Sequence, residues 1–174
     1  FEVTDTWLAP EMVSPDGKEL LLSTQLRETG TDILVMTLGN PAEPRKLFAS
    51  PANEDNARLS PDGRWILVTS DESGRAEVYV YPYPSLSGRW QVSSNGGTRG
   101  EWLPGGRAIL YRAPDQRLVK VDVEAVGESF QIGELTVMVM EAEPTRVNRV
   151  RLEARGGMAP PPDGVVERGR VEQE

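Results

Sequence analysis

Short apolar runs separated by turn-forming residues follow one another along the first 140 positions of the chain. The clearest run is at residues 77–81, where Glu77, Tyr79 and Tyr81 alternate with valines. An alternation with a period of two is typical of a strand with one buried face. Residues 65–69 are nearly all apolar and rich in β-branched side chains, which also favours a strand. The pattern therefore predicts a chain built from short strands.

A proline-containing turn precedes three of these runs at a nearly regular interval. Ser14-Pro15-Asp16-Gly17-Lys18 recurs as Ser60-Pro61-Asp62-Gly63-Arg64, and a weaker copy, Leu103-Pro104-Gly105-Gly106-Arg107, follows. Asp62 lies 46 residues after Asp16, and Gly105 lies 43 residues after Asp62. Proline fixes φ at the first central position, aspartate hydrogen-bonds to nearby backbone, and glycine accepts a positive φ. The interval falls within the range of propeller blades and other repeat arrays.

Each repeat holds enough strand-like runs for four strands, which is the content of one propeller blade. The predicted strands of the three repeats lie at residues 4–13, 19–24, 33–38 and 45–48, then 58–59, 65–69, 77–81 and 89–93, then 108–112, 118–123 and 135–140. We therefore predict an all-β fold, a partial β-propeller of about three four-stranded antiparallel blades. Within a repeat region of residues 1–140, the blades occupy about residues 10–56, 57–100 and 101–140.

Residues 141–174 depart from the repeat pattern and are predicted to form a divergent, flexible tail. Residues 146–155 are compatible with either a short strand or a short helix. Beyond them, three consecutive prolines at 160–162, scattered glycine and dense charge predict a flexible, disordered C-terminal tail.

Composition removes several classes of function. The net charge of −8 argues against a nucleic-acid-binding face. The chain has no Cys and no His, so it cannot by itself form a Ser-His-Asp or Cys-His nucleophile system or a Cys/His zinc site. We see no Asp-rich loop with the spacing of an oxygen-only metal site, so we expect no metal, no cofactor and no enzymatic activity. No apolar run approaches the roughly 18 residues of a membrane span, so we expect no direct membrane insertion. The chain begins at Phe1, which suggests a piece of a longer polypeptide.

Several segments together resemble TolB-like (WD-like) β-propeller repeats. They are residues 53–65, with the Ser-Pro-Asp-Gly turn, residues 71–80, residues 88–97, and residues 119–123 followed by Phe130 and Gly133. The resemblance is closest to the propeller that lies C-terminal to the kinase domain in some bacterial serine/threonine protein kinases. It implies an extracytoplasmic setting, in the periplasm or cell envelope. Gly105 stands where the family has Asp, and no kinase motif is present.

Two functions follow from this resemblance. The first is a non-catalytic protein-interaction or ligand-sensing module within a larger sensor or envelope protein, such as a kinase-linked propeller. The alternative is an accessory, substrate-gating propeller of a serine peptidase of the prolyl oligopeptidase or tricorn type. Three blades leave exposed strand edges, so the end blades are expected to pair with further blades or with another chain.

The turn motif and the aromatic residues are interpreted as structural. Turn chemistry accounts for Ser60 and Asp62 without a catalytic role. Packing inside or between blades is expected for the three tryptophans at strand positions and for Tyr79 and Tyr81, whereas Tyr83 is expected to be partly exposed. The tryptophans are Trp65, Trp90 and Trp102.

Strand direction predicts a candidate binding surface. In a four-stranded meander, the second turn and the link to the next blade lie at the end opposite the Ser-Pro-Asp-Gly turns. Loops on a rigid scaffold are common binding sites. We call this surface the rim, and its predicted binding residues are Asn53, Glu54, Asp55, Asp71, Glu72, Arg75 and Arg99. Residues 28–32 are expected to lie beside it. The acidic balance of the rim favours a cationic or hydrogen-bonding protein or small-ligand partner.

Overall fold

The computed structural model describes residues 7–26, 30–40, 44–48, 50–127, 129–143 and 146–155, with side chains described as far as Val137. Within these ranges the chain forms thirteen β-strands and no helix. Among the same residues, no helix is long and apolar enough to span a membrane. Residues 4–6, 28–29 and 156–174, which entered the sequence predictions, lie outside the described residues.

The strands form three antiparallel sheets, each a meander in which sequence neighbours pair. Blade 1 consists of β1 (Leu8–Val13), β2 (Glu19–Leu26), β3 (Gly30–Thr37) and β4 (Arg45–Lys46). Blade 2 consists of β5 (Glu54–Leu59), β6 (Trp65–Ser70), β7 (Glu77–Pro82) and β8 (Trp90–Gln91). Blade 3 consists of β9 (Thr98–Trp102), β10 (Ala108–Arg112), β11 (Leu118–Val126), β12 (Ser129–Glu143) and β13 (Arg146–Arg155). The predicted all-β fold of three antiparallel meanders is confirmed.

The structure differs from the sequence prediction at the edges of the blades. Residues 146–155, which were compatible with strand or helix, form β13 and add a fifth strand to blade 3. The first strand of the second repeat was predicted at residues 58–59, with a connection before it, but β5 already begins at Glu54. The polar sequence of that segment hides the strand because a bulge interrupts its alternation, as described below. The outer strands β4 and β8 are only two residues long.

The Ser-Pro-Asp-Gly turns form the same hydrogen bonds twice. In the second turn Ser60 Oγ donates to Asp62 Oδ1 at 2.6 Å and accepts the Trp65 amide at 3.0 Å. Ser14 and Asp16 make equivalent bonds in the first turn. The third turn keeps only the backbone bonds, from Gly106 N to the Leu103 carbonyl at 3.0 Å and from Leu103 N to the Ala108 carbonyl at 2.8 Å. The structural interpretation of these turns accounts for every side chain in them.

Two apolar cores lie between the blades, one on each face of blade 2. The core shared with blade 1 includes Leu21 and Ile33 of blade 1 against Ile66 and Tyr79 of blade 2. The core shared with blade 3 combines aliphatic side chains and Tyr111 with a cluster of contacting aromatic rings, those of Trp65, Trp90, Trp102 and Phe130. Every residue of β6 is buried as a result. The tryptophans therefore pack between blades, as predicted, and do not form an exposed stacking platform.

The first strands of the blades lie next to one another: β5 contacts both β1 and β9. Each of these inner strands carries a register shift against its neighbour, between Pro10 and Met12 in β1, between Asp55 and Arg58 in β5, and opposite Leu110–Arg112 in β9. Asn56 and Arg99 have positive φ values of 54° and 55° at the last two shifts. Bulges of this kind redirect side chains and break the alternation that sequence reasoning relies on.

Candidate binding rim and inner strands

Asn53 joins the second turns of blades 1 and 2. Its backbone N–H donates to Asp71 Oδ1 at 2.8 Å, and its side-chain Nδ2 donates to Asp71 Oδ2 at 2.6 Å. Its Oδ1 accepts the Thr31 amide of blade 1 at 2.9 Å. Gly30 makes this approach possible, because a Cβ there would lie 2.3 Å from Asn53 Oδ1. Two predicted rim residues are therefore in direct contact, and residues 30–32 lie beside them.

Glu54 is buried, although the sequence placed it in the rim with the others. Its side chain is only 2% exposed, at the start of β5 between blades 1 and 2. Burial raises the pKa of its carboxyl to about 7, although the hydrogen bond from Ser50 acts in the opposite direction. An external partner cannot reach Glu54 directly in this structure, so a contact role for this residue is corrected to a structural one.

Asp55 and Arg99 lie on neighbouring inner strands and are both accessible to solvent. Partial burial of its carboxyl and the nearby charge of Glu11 raise the pKa of Asp55, while Arg99 acts to lower it. Within the described part of the chain, the Arg99 guanidinium makes no hydrogen bond or ion pair. The pair thus presents one acidic and one basic group at the junction of blades 2 and 3.

The charged side chains of Glu72 and Arg75 form ion pairs and hydrogen bonds within the chain. Glu72 forms an ion pair with Arg89, which also lies 5.0 Å above the Tyr79 ring. Arg75 donates through Nε to Glu77 Oε1 at 2.7 Å and through Nη2 to the Ser94 carbonyl at 2.6 Å. The acidic balance counted from sequence therefore overstates the negative charge that the rim offers to a partner.

Glu77 is an organising carboxylate that the sequence analysis did not single out. It is 1% exposed, and it accepts hydrogen bonds from Arg75, from the Ser93 hydroxyl and from the Gly96 amide. These bonds fix the link from blade 2 to blade 3. Beside that link is an open groove of about 510 Å³ between the two blades, lined by Arg75, Ala76, Asn95, Gly96, Gly97, Thr98, Arg112, Ala113, Pro114 and Gln116.

An ion triad connects the three inner strands. Arg58 of β5 donates through Nη1 to Glu11 Oε2 of β1 and through Nε to Glu101 Oε1 of β9, both at 2.7 Å. Burial opposes the charge of Arg58, but the hydrogen bonds to the two glutamates outweigh it and raise the pKa of Arg58. Sequence reasoning missed this triad. Its only signal was the repeat phase, because Arg58 and Glu101 are 43 residues apart, as are Asp62 and Gly105.

The opposite end of the blades is also closed by internal bonds. Tyr83 is partly buried and donates from its hydroxyl to Glu19 Oε2 at 2.6 Å, which links blade 2 to blade 1. A second cavity of about 360 Å³ lies here, lined by the two Ser-Pro-Asp-Gly turns together with Glu19, Leu59 and Tyr83. Among the described residues, no group of three or more acidic, His or Cys side chains is placed to hold a metal ion.

Comparison with solved structures identifies the architecture. A TolB from Agrobacterium tumefaciens matches with a TM-score of 0.55 at 17% identity, over 88% of this chain and 50% of that protein. TolB from Acinetobacter baumannii matches with a TM-score of 0.55 at 20% identity, over 90% of this chain and 41% of that protein. The β-propeller domain of the Trilobed protease from Pyrococcus furiosus matches with a TM-score of 0.52 at 16% identity, over 94% of this chain and 57% of that domain.

These likenesses show the fold alone: the strands of this chain are arranged as blades of a β-propeller, as they are in the TolB structures. No family model matches its sequence. The chain spans about half the length of the solved structures that it resembles. The activities and partners of those proteins therefore do not transfer to this chain from the comparison.

Proposed function

We propose that this chain is a non-catalytic binding module of a larger propeller protein, and that it contacts a protein or small-ligand partner through the rim. The observation that carries the proposal is the exposed pair Asp55 and Arg99 at the junction of blades 2 and 3. Asn53, Asp71, Glu72 and Arg75 are held by internal bonds around this pair. Binding residues are commonly held in place by a rigid scaffold, and groups that are already ordered lose less conformational freedom when a partner binds.

The partner's chemistry follows from which groups remain free. One carboxylate and one guanidinium favour a partner with paired polar groups, such as a peptide segment carrying a donor and an acceptor. This refines the cationic preference expected from sequence, because Glu54 is buried and Glu72 already pairs with Arg89. The absence of His and Cys from the whole chain excludes a Ser-His-Asp or Cys-His nucleophile system built from this chain alone.

Site-specific photo-crosslinking tests which surface meets a partner. A photoreactive amino acid is placed at Asp55 or Arg99 on the rim, and at Lys18 or Arg64 on the Ser-Pro-Asp-Gly end as matched exposed controls. We expect discrete adducts from the two rim positions in cells that express the whole protein. With the probe at Asp55, the charge reversal Arg99→Glu should abolish the adduct, and with the probe at Arg99, the charge reversal Asp55→Lys should do the same. Adducts confined to the Lys18 and Arg64 positions would mean that the functional surface is at the other end.

The finer form of the proposal is a propeller linked to a bacterial serine/threonine kinase, in an extracytoplasmic sensor. The resemblance of the repeats to that subgroup supports it. Sequencing the parent gene tests it, because a kinase domain upstream is expected. A hydrolase domain downstream would replace this form with the peptidase-gating role.

A further inference from the structure

We propose that Glu54 is a proton-operated latch for the rim: while its carboxyl is neutral the start of β5 holds Asn53 in its contacts with blades 1 and 2, and when the carboxyl ionises those contacts loosen. This inference rests on the proposed function only in that both concern the rim. It names a means of regulating that surface, which the sequence and the comparisons leave open.

Glu54 is a buried acid whose two carboxyl oxygens are not both hydrogen-bonded by residues that the structure describes. Ser50 Oγ donates to Glu54 Oε1 at 2.5 Å, and the Ala52 amide donates to the same Ser50 oxygen at 3.1 Å. Glu54 Oε2 has no hydrogen-bond partner among the described residues. A buried carboxylate needs donors for both of its oxygens, and the site supplies a donor for only one. The site therefore suits a neutral carboxylic acid better than a carboxylate.

The elements packed near Glu54 bring two other acidic side chains and one lysine close to it. Asp32 of β3 is a fully buried carboxyl, and its Oδ1 lies 2.6 Å from Lys46 Nζ of β4. Asp71, which follows β6, adds a third acidic group near Glu54. Tyr81 of β7 also lies close, and its pKa is raised by burial and by Glu54, so it stays neutral. Ionised Glu54 would thus place a further negative charge beside Asp32 and Asp71, and the charges of these two carboxyl groups act against its ionisation while that of Lys46 favours it.

The position of Glu54 in the chain couples it to the contacts of the rim. It lies between Asn53, which bonds to Asp71 and Thr31, and Asp55, which belongs to the exposed pair. Glu54 is also the first residue of β5 and pairs with Ser70. A carboxylate that seeks water at this point must displace the beginning of β5, and Asn53 moves with it. Ionisation is therefore coupled to the contact between the second turns of blades 1 and 2.

The test is an NMR titration of the full chain from pH 5 to pH 9, with no partner present. We expect the amide signals of Thr31 and Asn53 to shift with a midpoint near pH 7. Their hydrogen exchange, corrected for intrinsic rates, should accelerate about tenfold above that midpoint as the local structure opens more often. Glu54→Gln should abolish both transitions, while the control Glu72→Gln, at a neighbouring rim position, should retain them.

A direct measurement guards against a variant that does not fold. Carbon-detected titration of the Glu54 carboxyl in the unmodified chain should give the same midpoint near pH 7. A Glu54 midpoint below pH 5.5, or rim transitions that persist in folded Glu54→Gln, would overturn the latch. Because no partner is used, the result is separable from the proposed function: a titrating latch without rim crosslinks refutes only the binding proposal.

Discussion

Arg58 is expected to hold the three inner strands together mainly through Glu11. The relevant contrast is exposure: the side chain of Glu11 is 14% exposed, that of Glu101 is 52% exposed, and that of Arg58 is 23% exposed. Both ion pairs have the same 2.7 Å separation. Geometry therefore cannot distinguish them, and any difference in their energies must come from solvent screening.

The magnitudes follow from that contrast. Removing one partner of a fully buried pair costs about 3–5 kcal/mol, whereas an exposed pair contributes about 0–1 kcal/mol. For the largely buried Glu11 contact we take about 2 kcal/mol, and for the exposed Glu101 contact about 0.5 kcal/mol. Arg58→Met, which keeps an unbranched apolar stem but removes the guanidinium, should thus lower the free energy of unfolding by about 2–3 kcal/mol.

Double-mutant cycles in urea unfolding measure the two couplings separately. Arg58→Met is combined with Glu11→Gln in one cycle and with Glu101→Gln in the other. We expect a coupling of about 1.5–2 kcal/mol for Glu11 and at most about 0.5 kcal/mol for Glu101, and we expect 1 M NaCl to remove only the second. A coupling to Glu101 as large as that to Glu11, or a neutral Arg58→Met, would refute the reasoning.

Three further predictions concern stability. The pKa of Glu54 is about 7 in the folded chain, against an ordinary value of 4.5, so folding favours the neutral carboxyl. The free energy of unfolding should therefore fall as the pH rises through this range, by about 2–3 kcal/mol between pH 5 and pH 8. Urea unfolding of Glu54→Gln at the two pH values should show no such fall. Gly30→Ala should lower the free energy of unfolding by about 1–3 kcal/mol more than Gly74→Ala, because both glycines have φ near +90° but only Gly30 lies against Asn53. Urea unfolding of the two variants measures this difference. Equal losses of stability would contradict the contact. Asp62→Ala should lower the free energy of unfolding by about 1 kcal/mol, because the turn loses the hydrogen bonds of the aspartate. Asp16→Ala, in the first turn, is the matched variant. If neither variant changes the thermal midpoint, the turns do not depend on these aspartates.

The turns and the strands were predictable because their causes are local or periodic. Ser60 and Asp62 are two residues apart, and their hydrogen bond can be anticipated from the turn type. The alternation at residues 77–81 likewise predicts a strand, but it indicates only one buried face, whereas Val78 and Tyr79 are both buried, one in each of the two cores. The turn and the strand need only the sequence within one blade, and the second buried face needs the neighbouring blade.

The rim was predictable in position but not in bonding. Strand direction places Asn53 and Asp71 at one end of the blades, but the burial of Glu54 depends on how blade 1 covers the start of β5. The triad of Arg58 was hidden for a related reason, since its partners come from two other blades across bulged strands. Contacts between blades depend on their relative placement, which no pattern within a single repeat contains.

The third turn shows what a propeller repeat can lose. Leu103-Pro104-Gly105-Gly106 retains the backbone bonds of the other two turns without a serine or an aspartate to support them. The hairpin therefore keeps its backbone hydrogen bonds when other side chains occupy the turn. A repeat of this kind is harder to recognise from its sequence than from its structure. Counting Ser-Pro-Asp-Gly motifs in a sequence consequently gives a lower limit to the number of blades.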